Sequence, residues 1–317
     1  MFEPALLDAF ENRVRKRDRH LGRWAKRESV TCYRIYDRDI PELAFALDRY
    51  GDRALLQQYL RGVDASFDAD GLEALCGAAA RGLDLHPNAV TIKLRRKLNR
   101  RESQHEKTGS SGVDFVVTEA GARFWVNLEA YLDTGLFLDH RLTRAMVRES
   151  ARGRRVLNLF CYTGSFTVQA VAGGAEASVS VDLSNTYLAW ARRNFELNGM
   201  DPAGHHLERA DVTDWLHEAR RRRERFGLIV LDPPAYSSSK KMDGTFDVQR
   251  DHPALVQAVA ALLEPDGLLF FSTNLRGFKL DGAALSALRI EDITTRTIPE
   301  DFRNHRVHQC WRIGLQS

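Results

Sequence analysis

The 317-residue sequence has no long apolar run, no secretory signal pattern and no paired cysteines. A transmembrane helix needs about 20 consecutive apolar residues, and no run of that length occurs. The first residues, Met1 to Pro4, lack the charged and then apolar pattern of a signal peptide. We therefore expect a cytoplasmic protein that does not associate with membranes.

Cysteine is scarce and scattered, which argues against both a disulfide scaffold and a zinc site. The four cysteines lack C-x-x-C spacing and lie at Cys32, Cys76, Cys161 and Cys310. They are interpreted as small buried apolar side chains. His305, His308 and Cys310 follow the pattern H-x-x-H-x-C, but residues of a strand alternate faces and cannot all converge on one ion. We therefore predict no metal site.

Basic residues are unevenly distributed, although the net charge is only +3. Arg13 to Arg27 contains eight basic residues and one acidic residue, and a second basic cluster runs from Lys93 to Lys107. Each cluster alone is typical of a solvated surface, but two in one domain also suit a nucleic-acid backbone. Lys240 and Lys241 follow a run of three serines, and they fit either a solvated loop or an RNA contact. The candidate RNA contacts are Arg15, Arg19, Lys26, Arg27, Lys93, Arg95, Arg96, Lys97, Arg100, Lys240 and Lys241.

Two regions differ in the order of their predicted elements. Residues 1–127 combine a basic helix, short strands and a hairpin, which predicts an α+β domain that binds RNA. Residues 128–317 alternate strands and helices from Val156 onward, which predicts a parallel seven-stranded sheet with helices on both faces. The fold class is therefore α/β, a doubly wound, Rossmann-like domain. Two late helices are predicted, over Pro253 to Leu263 and over Ala283 to Leu288.

An apolar strand, Leu228 to Leu231, ends abruptly in the motif Asp232-Pro233-Pro234-Ala235-Tyr236. Two consecutive prolines cannot continue a ladder of hydrogen bonds, so the chain must leave the sheet as a stiff extended segment. This places Asp232 and Tyr236 at the carboxyl end of a strand, where open α/β sheets bind ligands.

A second strand-to-helix turn, Asn158 to Gly164, contains a single glycine. A dinucleotide fold would show G-x-G-x-x-G, so this loop suits a smaller, amino-acid-like ligand. Asp182 ends the next strand and can accept both ribose hydroxyl protons, and Asp211 follows the third strand and can accept from a purine amine. One strand-end aspartate alone could be a helix N-cap, but the series favours a binding edge.

The segment from Asn158 to Tyr236 resembles the class I S-adenosylmethionine (SAM)-dependent methyltransferases. The resemblance implies that SAM is the cofactor and that the D-P-P-A-Y segment, with Asp232, Pro233, Pro234 and Tyr236, holds the methyl acceptor. A further stretch, Asp133 to Arg141, resembles the segment that lies over the cofactor in large-subunit ribosomal RNA methyltransferases. The implied cofactor contacts are Asp133, Phe137, Asp139, Arg141, Asn158, Phe160, Tyr162, Thr163, Gly164, Asp182, Leu183, Asp211, Val212 and Asp232.

Three more segments resemble one branch of that family, and they lie at Asp247 to His252, Asn274 to Phe278 and Cys310-Trp311. The branch is RlmK, the C-terminal half of the bifunctional RlmKL enzyme, which methylates guanine N7 in 23S rRNA. The expected partner is 23S rRNA or a large-subunit assembly intermediate. The other half of RlmKL, with its THUMP domain, has no counterpart in this sequence, which leaves open whether a separate partner carries a THUMP domain.

The positions of the cysteines favour ring-nitrogen chemistry. Methylation at pyrimidine C5 needs a thiolate near the D-P-P turn or after the next strand, and neither place has a cysteine. Guanine N7 carries an in-plane lone pair and needs no general base, so Asp232 would orient the base while Tyr236 stacks on it. N7 faces the deep, narrow major groove of A-form RNA, so the target must be flipped or unpaired.

Two other functions fit the sequence less well. An N-methyltransferase acting on adenine in DNA or RNA, or on protein glutamine, would use a similar turn, commonly with Asn in place of Asp232. A non-catalytic RNA-binding ribosome-assembly factor would not need Gly164, Asp182 and Asp211 in their cofactor-binding pattern.

Overall fold

A computed structural model describes residues 2–60, 68–96, 112–238 and 245–316. The chain forms two compact units, unit 1 with Met1–Thr134 and Glu300–Asn304, and unit 2 with Gly135–Pro299 and His305–Ser317. The sequence placed the division after residue 127, and the return of residues 300–304 to unit 1 has no sequence signal. Among the described residues, no helix is both long and apolar enough to span a membrane.

Unit 1 is an α+β unit built on a four-stranded sheet with the order β1-β2-β3-β4. Its elements are α1 Pro4–Arg27, β1 Cys32–Asp37, β2 Phe45–Tyr50, β3 Arg53–Leu60, α2 Ala69–Leu83, β4 Val90–Arg96, β5 Phe115–Glu119 and β6 Ala122–Val126. The hairpin β5–β6 confirms the predicted turn between two short strands. Residues 300–304 join unit 1 because Asp301 accepts a hydrogen bond from the amide of Arg34 at 2.8 Å.

Helix α1 has one buried apolar stripe and one basic face. Pro4 stands in its first turn, where the missing N–H costs no hydrogen bond, and Lys26 and Arg27 stand in its last turn, where cations suit the helix dipole. Phe10 and Val14 are buried one turn apart, and a Cβ on Gly82 of α2 would lie 2.8 Å from Val14 Cγ1. The two helices thus pack closely enough to fix the apolar side of α1 and leave its basic side outward.

Unit 2 contains a seven-stranded sheet with the order β14-β15-β13-β10-β7-β8-β9, which confirms the predicted α/β fold. Its elements are α3 Arg141–Ser150, β7 Arg155–Leu159, α4 Ser165–Ala172, β8 Ala177–Asp182, α5 Asn185–Leu197, β9 His205–Arg209, α6 Val212–Arg221, β10 Phe226–Leu231, β11 Tyr236–Ser238, β12 Thr245–Asp247, α7 Val248–Ala260, β13 Leu263–Thr273, β14 Leu288–Asp292, α8 Thr294–Thr297 and β15 Gln309–Leu315. The sheet is mixed rather than wholly parallel, because β15 runs antiparallel to both β13 and β14.

Two predicted helices differ from the structure. In place of the helix predicted over Ala283 to Leu288, residues 283–287 form turns and Leu288 begins β14, since so short a segment gains too few hydrogen bonds to offset helix nucleation. Helix α7 begins five residues before Pro253, which lies inside it. Proline leaves the carbonyl of Gln249 without its usual donor, and Nδ1 of His252 reaches that oxygen at 3.0 Å.

The order of the strands determines which edge of the sheet can bind a ligand. Strand β7 lies between β8, which follows it, and β10, which comes three strands later, so the direction of winding reverses between β7 and β10. Such a switch point opens a crevice at the carboxyl ends of the strands. Gly164 in the loop after β7, Asp182 at the end of β8 and Asp232 directly after β10 lie at this edge.

Candidate active site

The loop after β7 has an unusual backbone. Phe160, Tyr162 and Gly164 all have positive φ, at 56°, 50° and 73°. A Cβ on Gly164 would lie 2.8 Å from Cε1 of Phe195, so position 164 is restricted both by its φ and by space. This tight turn exposes backbone groups at the start of α4, where a helix N-terminus can face a ligand.

Hydrogen bonds connect this loop to two neighbouring segments. Asp182 accepts from the amides of Tyr162 and Ser184, each at 2.9 Å and each on a different carboxylate oxygen. The amide of Gly135 donates to the Tyr162 hydroxyl at 3.0 Å, and Thr163 Oγ1 donates to the carbonyl of Gly135 at 2.6 Å. The glycine loop, the end of β8 and the segment before α3 therefore hold one another in place.

Asp211 serves as the N-cap of α6. Its Oδ1 accepts from the amides of Thr213 at 2.8 Å and Asp214 at 3.4 Å. Both capping bonds go to Oδ1, so within the described part of the chain Oδ2 has no such partner and can accept from a ligand. The two interpretations of a strand-end aspartate, cap and ligand contact, are thus compatible at this position.

Asp232 stands directly after β10, and its two oxygens have different neighbours. Ser272 Oγ, at the end of β13, donates to Oδ1 at 2.6 Å, while Nε2 of His140 lies 3.6 Å from Oδ2. The Asp232 side chain keeps about a quarter of its surface exposed. Tyr236, which begins β11, is among the few exposed large apolar side chains described.

Near Asp232 lies a polar cluster of the buried His140 and His308 and the partly buried Asp139. Nδ1 of His308 donates to Asp139 Oδ2 at 3.0 Å, and Nε2 of His308 lies 3.0 Å from Thr297 Oγ1. The imidazoles of His140 and His308 stack with 4.4 Å between centroids and 10° between planes. Burial raises the pKa of Asp139, but His140 and the hydrogen bond from His308 lower it by more and keep the carboxyl ionised.

The same three residues are close enough together to suggest a metal site, since one ligand atom from each lies within 4.8 Å of the others. The stacking argues against that interpretation. A histidine binds a metal along the lone pair in its ring plane, and two nearly parallel rings cannot both aim in-plane lone pairs at one ion. The absence of a metal in this protein stays a prediction.

Three of the four cysteines are buried, and Cys76 is partly buried. Burial raises the pKa of the Cys161 thiol, and the nearby Asp182 raises it further. Burial likewise raises the pKa of the Cys310 thiol, with Asp232 adding to the effect. Neither thiol is activated as a thiolate nucleophile, which agrees with the interpretation of Cys161 as a packing residue.

Comparison with known proteins identifies the family. A family model described as S-adenosylmethionine-dependent methyltransferase matches residues 83–296. The chain belongs to the SAM-dependent methyltransferases. The predicted family and the predicted cofactor, SAM, are both confirmed.

Two relatives resemble this methyltransferase over almost its whole length. Ribosomal RNA large subunit methyltransferase K of Neisseria meningitidis serogroup B is 52% identical over 97% of this chain and 87% of its own length. Ribosomal RNA large subunit methyltransferase K/L of Methylococcus capsulatus is 49% identical over 96% of this chain, which spans only 42% of that longer protein. A solved structure of a protein assigned as a methyltransferase, in complex with SAH, matches 97% of this chain and 81% of its own with a TM-score of 0.76 and 26% identity.

The residues of this methyltransferase fit SAM. Asp182, which accepts two backbone hydrogen bonds at the end of β8, lies at the same edge of the sheet, and its contact with the ribose hydroxyls stays a prediction. Asp211 Oδ2 suits the adenine amine, and Phe160 and Leu183, directly after β7 and β8, are half-buried apolar side chains. Phe137, 39% exposed, packs 5.1 Å from the Tyr162 ring at the glycine loop.

Several residues predicted to contact the cofactor are buried within the protein. Asn158 is buried and its Nδ2 donates to Thr167 Oγ1 at 2.9 Å, so its side chain connects β7 to α4 instead of reaching a ligand. Val212 is part of the hydrophobic core. Arg141 is buried at the start of α3. Asp133 is buried in unit 1, and its cofactor contact stays a prediction.

The predicted RNA contacts differ in their exposure, and some lie outside the described residues. Arg15, Arg19 and Arg23 recur every four residues of α1 and line one surface depression with Lys16 and His20. Lys26 and Arg27 are exposed at the end of α1. Lys93, in contrast, is buried and donates to the carbonyls of Tyr131 and Leu132, because an ammonium group inside the protein needs acceptors. The backbone of Arg95 and Arg96 is part of β4, and Lys97, Arg100, Lys240 and Lys241 lie outside the described residues.

Sequence reasoning missed His140, His308 and Ser272. His140 lies within the segment from Asp133 to Arg141, but the resemblance drew attention to its charged neighbours Asp139 and Arg141. His308 was considered only with His305 and Cys310, its neighbours along the chain. Its true partner, Asp139, is 169 residues away in sequence, and no local pattern signals such a contact.

Proposed function

We propose that this protein transfers the methyl group of SAM to N7 of a guanine in 23S rRNA in the cytoplasm. The observation that carries the proposal is the carboxylate of Asp232, held by Ser272 at the carboxyl end of β10 and followed by two prolines and the exposed Tyr236. The names of the relatives from Neisseria meningitidis and Methylococcus capsulatus support ribosomal RNA as the substrate. A guanine offers N–H groups on its N1 and amino edge that such a carboxylate can accept.

The mechanism depends on positioning. When bound, SAM supplies a methyl group whose bond to sulfur breaks as the N7 lone pair forms the new N–C bond, leaving positive charge on the purine. Asp232 accepts from the guanine edge and favours that positive charge. Tyr236 stacks on the base, and the rigid turn at Pro233 and Pro234 fixes both groups relative to the glycine loop. No residue needs to remove a proton before methyl transfer.

The basic face of α1 would hold the RNA backbone while the target base is extruded. Arg15, Lys16, Arg19 and Arg23 present their charges on one side of the helix, a spacing that suits successive phosphates. The proposal also includes a separate partner chain that carries a THUMP domain. Such a partner would bring RNA contacts additional to those of α1.

Radiolabelled SAM and protein-free 23S rRNA test the proposal. The labelled rRNA is cleaved with chemistry selective for 7-methylguanine, and primer extension locates the cleavage. We expect one cleaved guanine that requires the enzyme. Label in rRNA at an adenine or at an exocyclic amine would favour the N-methyltransferase alternative, and SAM binding without transfer to naked rRNA or to assembly intermediates would favour an assembly factor.

Reversing charge on α1 should weaken RNA binding in a salt-dependent way. In Arg19→Glu/Arg23→Glu, the slope of log affinity against log salt concentration should fall by about one unit for each phosphate that the helix no longer neutralises. Filter binding or anisotropy at several salt concentrations measures the slope. Arg220→Glu/Arg222→Glu, on the exposed end of α6, makes the same charge change and serves as the control. Equal slopes for both double variants would argue against RNA contact at α1.

A further inference from the structure

His140 is the buried imidazole nearest to the proposed acceptor site. Its Nε2 lies 3.6 Å from Asp232 Oδ2 and 3.9 Å from Asp139 Oδ2, so one nitrogen faces two carboxylates. The side chain is 6% exposed. Neither the proposed cofactor contacts nor the proposed RNA contacts give this residue a role.

The ring of His140 is fixed on two sides. It stacks on His308, and the edge of Phe166 packs against it with 5.7 Å between centroids. His308 is itself held between Asp139 and Thr297. A ring clamped in this way has few accessible rotamers, so its Nε2 has a defined direction toward Asp232.

The surroundings also select a tautomer. Nδ1 of His140 is buried and has no hydrogen-bond partner among the described residues, whereas Nε2 faces two acceptors. A proton on Nε2 is attracted by both carboxylates, and a proton on Nδ1 would be left without an acceptor. In its neutral form His140 therefore carries the N–H on Nε2.

We propose that His140 is a positioning residue for the methyl acceptor, which directs the Asp232 carboxylate toward the guanine while Ser272 holds its other oxygen. This inference rests on the proposed guanine-N7 function. A neutral His140 leaves the negative charge of Asp232 available to the purine as it becomes positive. A protonated His140 would form an ion pair with Asp232 and withdraw that charge from the substrate.

The inference predicts a pH dependence whose sign follows from the groups around His140. Asp139 and Asp232 favour its protonated form, while Arg144 and His308 oppose it. Burial, together with His308 and Arg144, lowers the pKa of His140 by more than the two carboxylates raise it, so the ring is neutral at neutral pH and gains a proton as the pH falls through this lowered pKa. The methyl-transfer rate should therefore fall on the acid side as His140 becomes protonated.

Two variants separate positioning from packing. His140→Phe keeps a stacking ring but removes the donor, and we expect kcat to fall on the order of 100-fold, the usual effect of misplacing a reacting group. His140→Gln keeps a neutral donor that cannot titrate, and it should retain most of the rate and lose the acid limb. For both, the Kd of SAM by calorimetry and the melting temperature should stay close to the wild-type values. His217→Gln, an exposed change on α6, serves as the control.

Three results would overturn the inference. They are a wild-type kcat in His140→Phe, an acid limb that persists in His140→Gln, and a loss of rate matched by an equal loss of SAM affinity. NMR titration of His140 in the unaltered protein gives a readout that does not depend on any variant, and its midpoint should coincide with the acid limb. If the wild-type enzyme forms no 7-methylguanine, the proposed function itself fails, whereas wild-type activity with unaffected variants overturns only the role of His140.

Discussion

Asp232→Asn is expected to lower kcat on the order of 100-fold while leaving SAM binding unchanged. Asparagine keeps the size of the side chain, and its oxygen can still accept from Ser272. It loses the negative charge that favours the cationic methylated purine, and its amide N–H groups would face guanine N–H groups that need an acceptor. Single-turnover transfer of labelled methyl groups to 23S rRNA measures the chemical step directly.

The choice of Asn also discriminates between acceptors. An enzyme acting on an amide or amine would tolerate Asn at position 232, because that residue can both donate and accept. Asp266→Asn makes the same chemical change on a side chain that is 80% exposed, and it should have the wild-type rate. A wild-type rate in Asp232→Asn as well would remove the assignment of this carboxylate to the acceptor.

Gly164→Ala is expected to raise the Kd of SAM at least about tenfold, which corresponds to about 1.4 kcal/mol. The backbone has φ of 73°, where an L-residue is strained by roughly 1–2 kcal/mol. In addition, the new Cβ would lie 2.8 Å from Phe195 Cε1 and 3.2 Å from Ala191 Cβ, so the loop or α5 must shift. Either shift moves backbone groups that face the cofactor. Calorimetric titration of SAM gives the Kd, and thermal denaturation gives the loss of stability.

Gly199→Ala is the matched control for backbone strain. Gly199 has φ of 66° and no heavy atom within 4 Å of an added Cβ, so it shares the strain without the collision. Both variants should melt at lower temperature than the wild type, and only Gly164→Ala should bind SAM more weakly. A similar Kd for both variants would mean that the glycine loop tolerates a side chain and does not shape the cofactor site.

The strands of unit 2 were predictable because each is a compact apolar run followed by a turn or by a helix pattern. Strand β10, with all six residues buried, is the clearest example. The direction of β15 was not predictable, since strand direction depends on which neighbours a strand reaches rather than on its own pattern. Helix α3 was missed because four of its ten residues are charged, and burial of Arg144 depends on the Phe137 carbonyl and on Phe166.

The site was predictable to the extent that it follows the strand ends. Asp182, Asp211 and Asp232 could be located from strand spacing and turn chemistry alone. The stack of His140 on His308 could not, because it needs residues from opposite ends of unit 2 to meet. Asn158 was predicted to contact the cofactor because of its place in the glycine loop, whereas alternation along β7 turns its side chain toward α4.

Gly135, in the segment before α3, limits which substitutions the cofactor site can accept during evolution. Both polar groups of Gly135 are bound by successive residues of the glycine loop, and a Cβ there would lie 2.3 Å from the Trp190 ring. Any side chain at position 135 would push Trp190 aside and disturb Tyr162 and Thr163 together. Sequence drift at the cofactor edge is therefore restrained by a residue that has no side chain, and compensation would require coordinated changes in three separate segments.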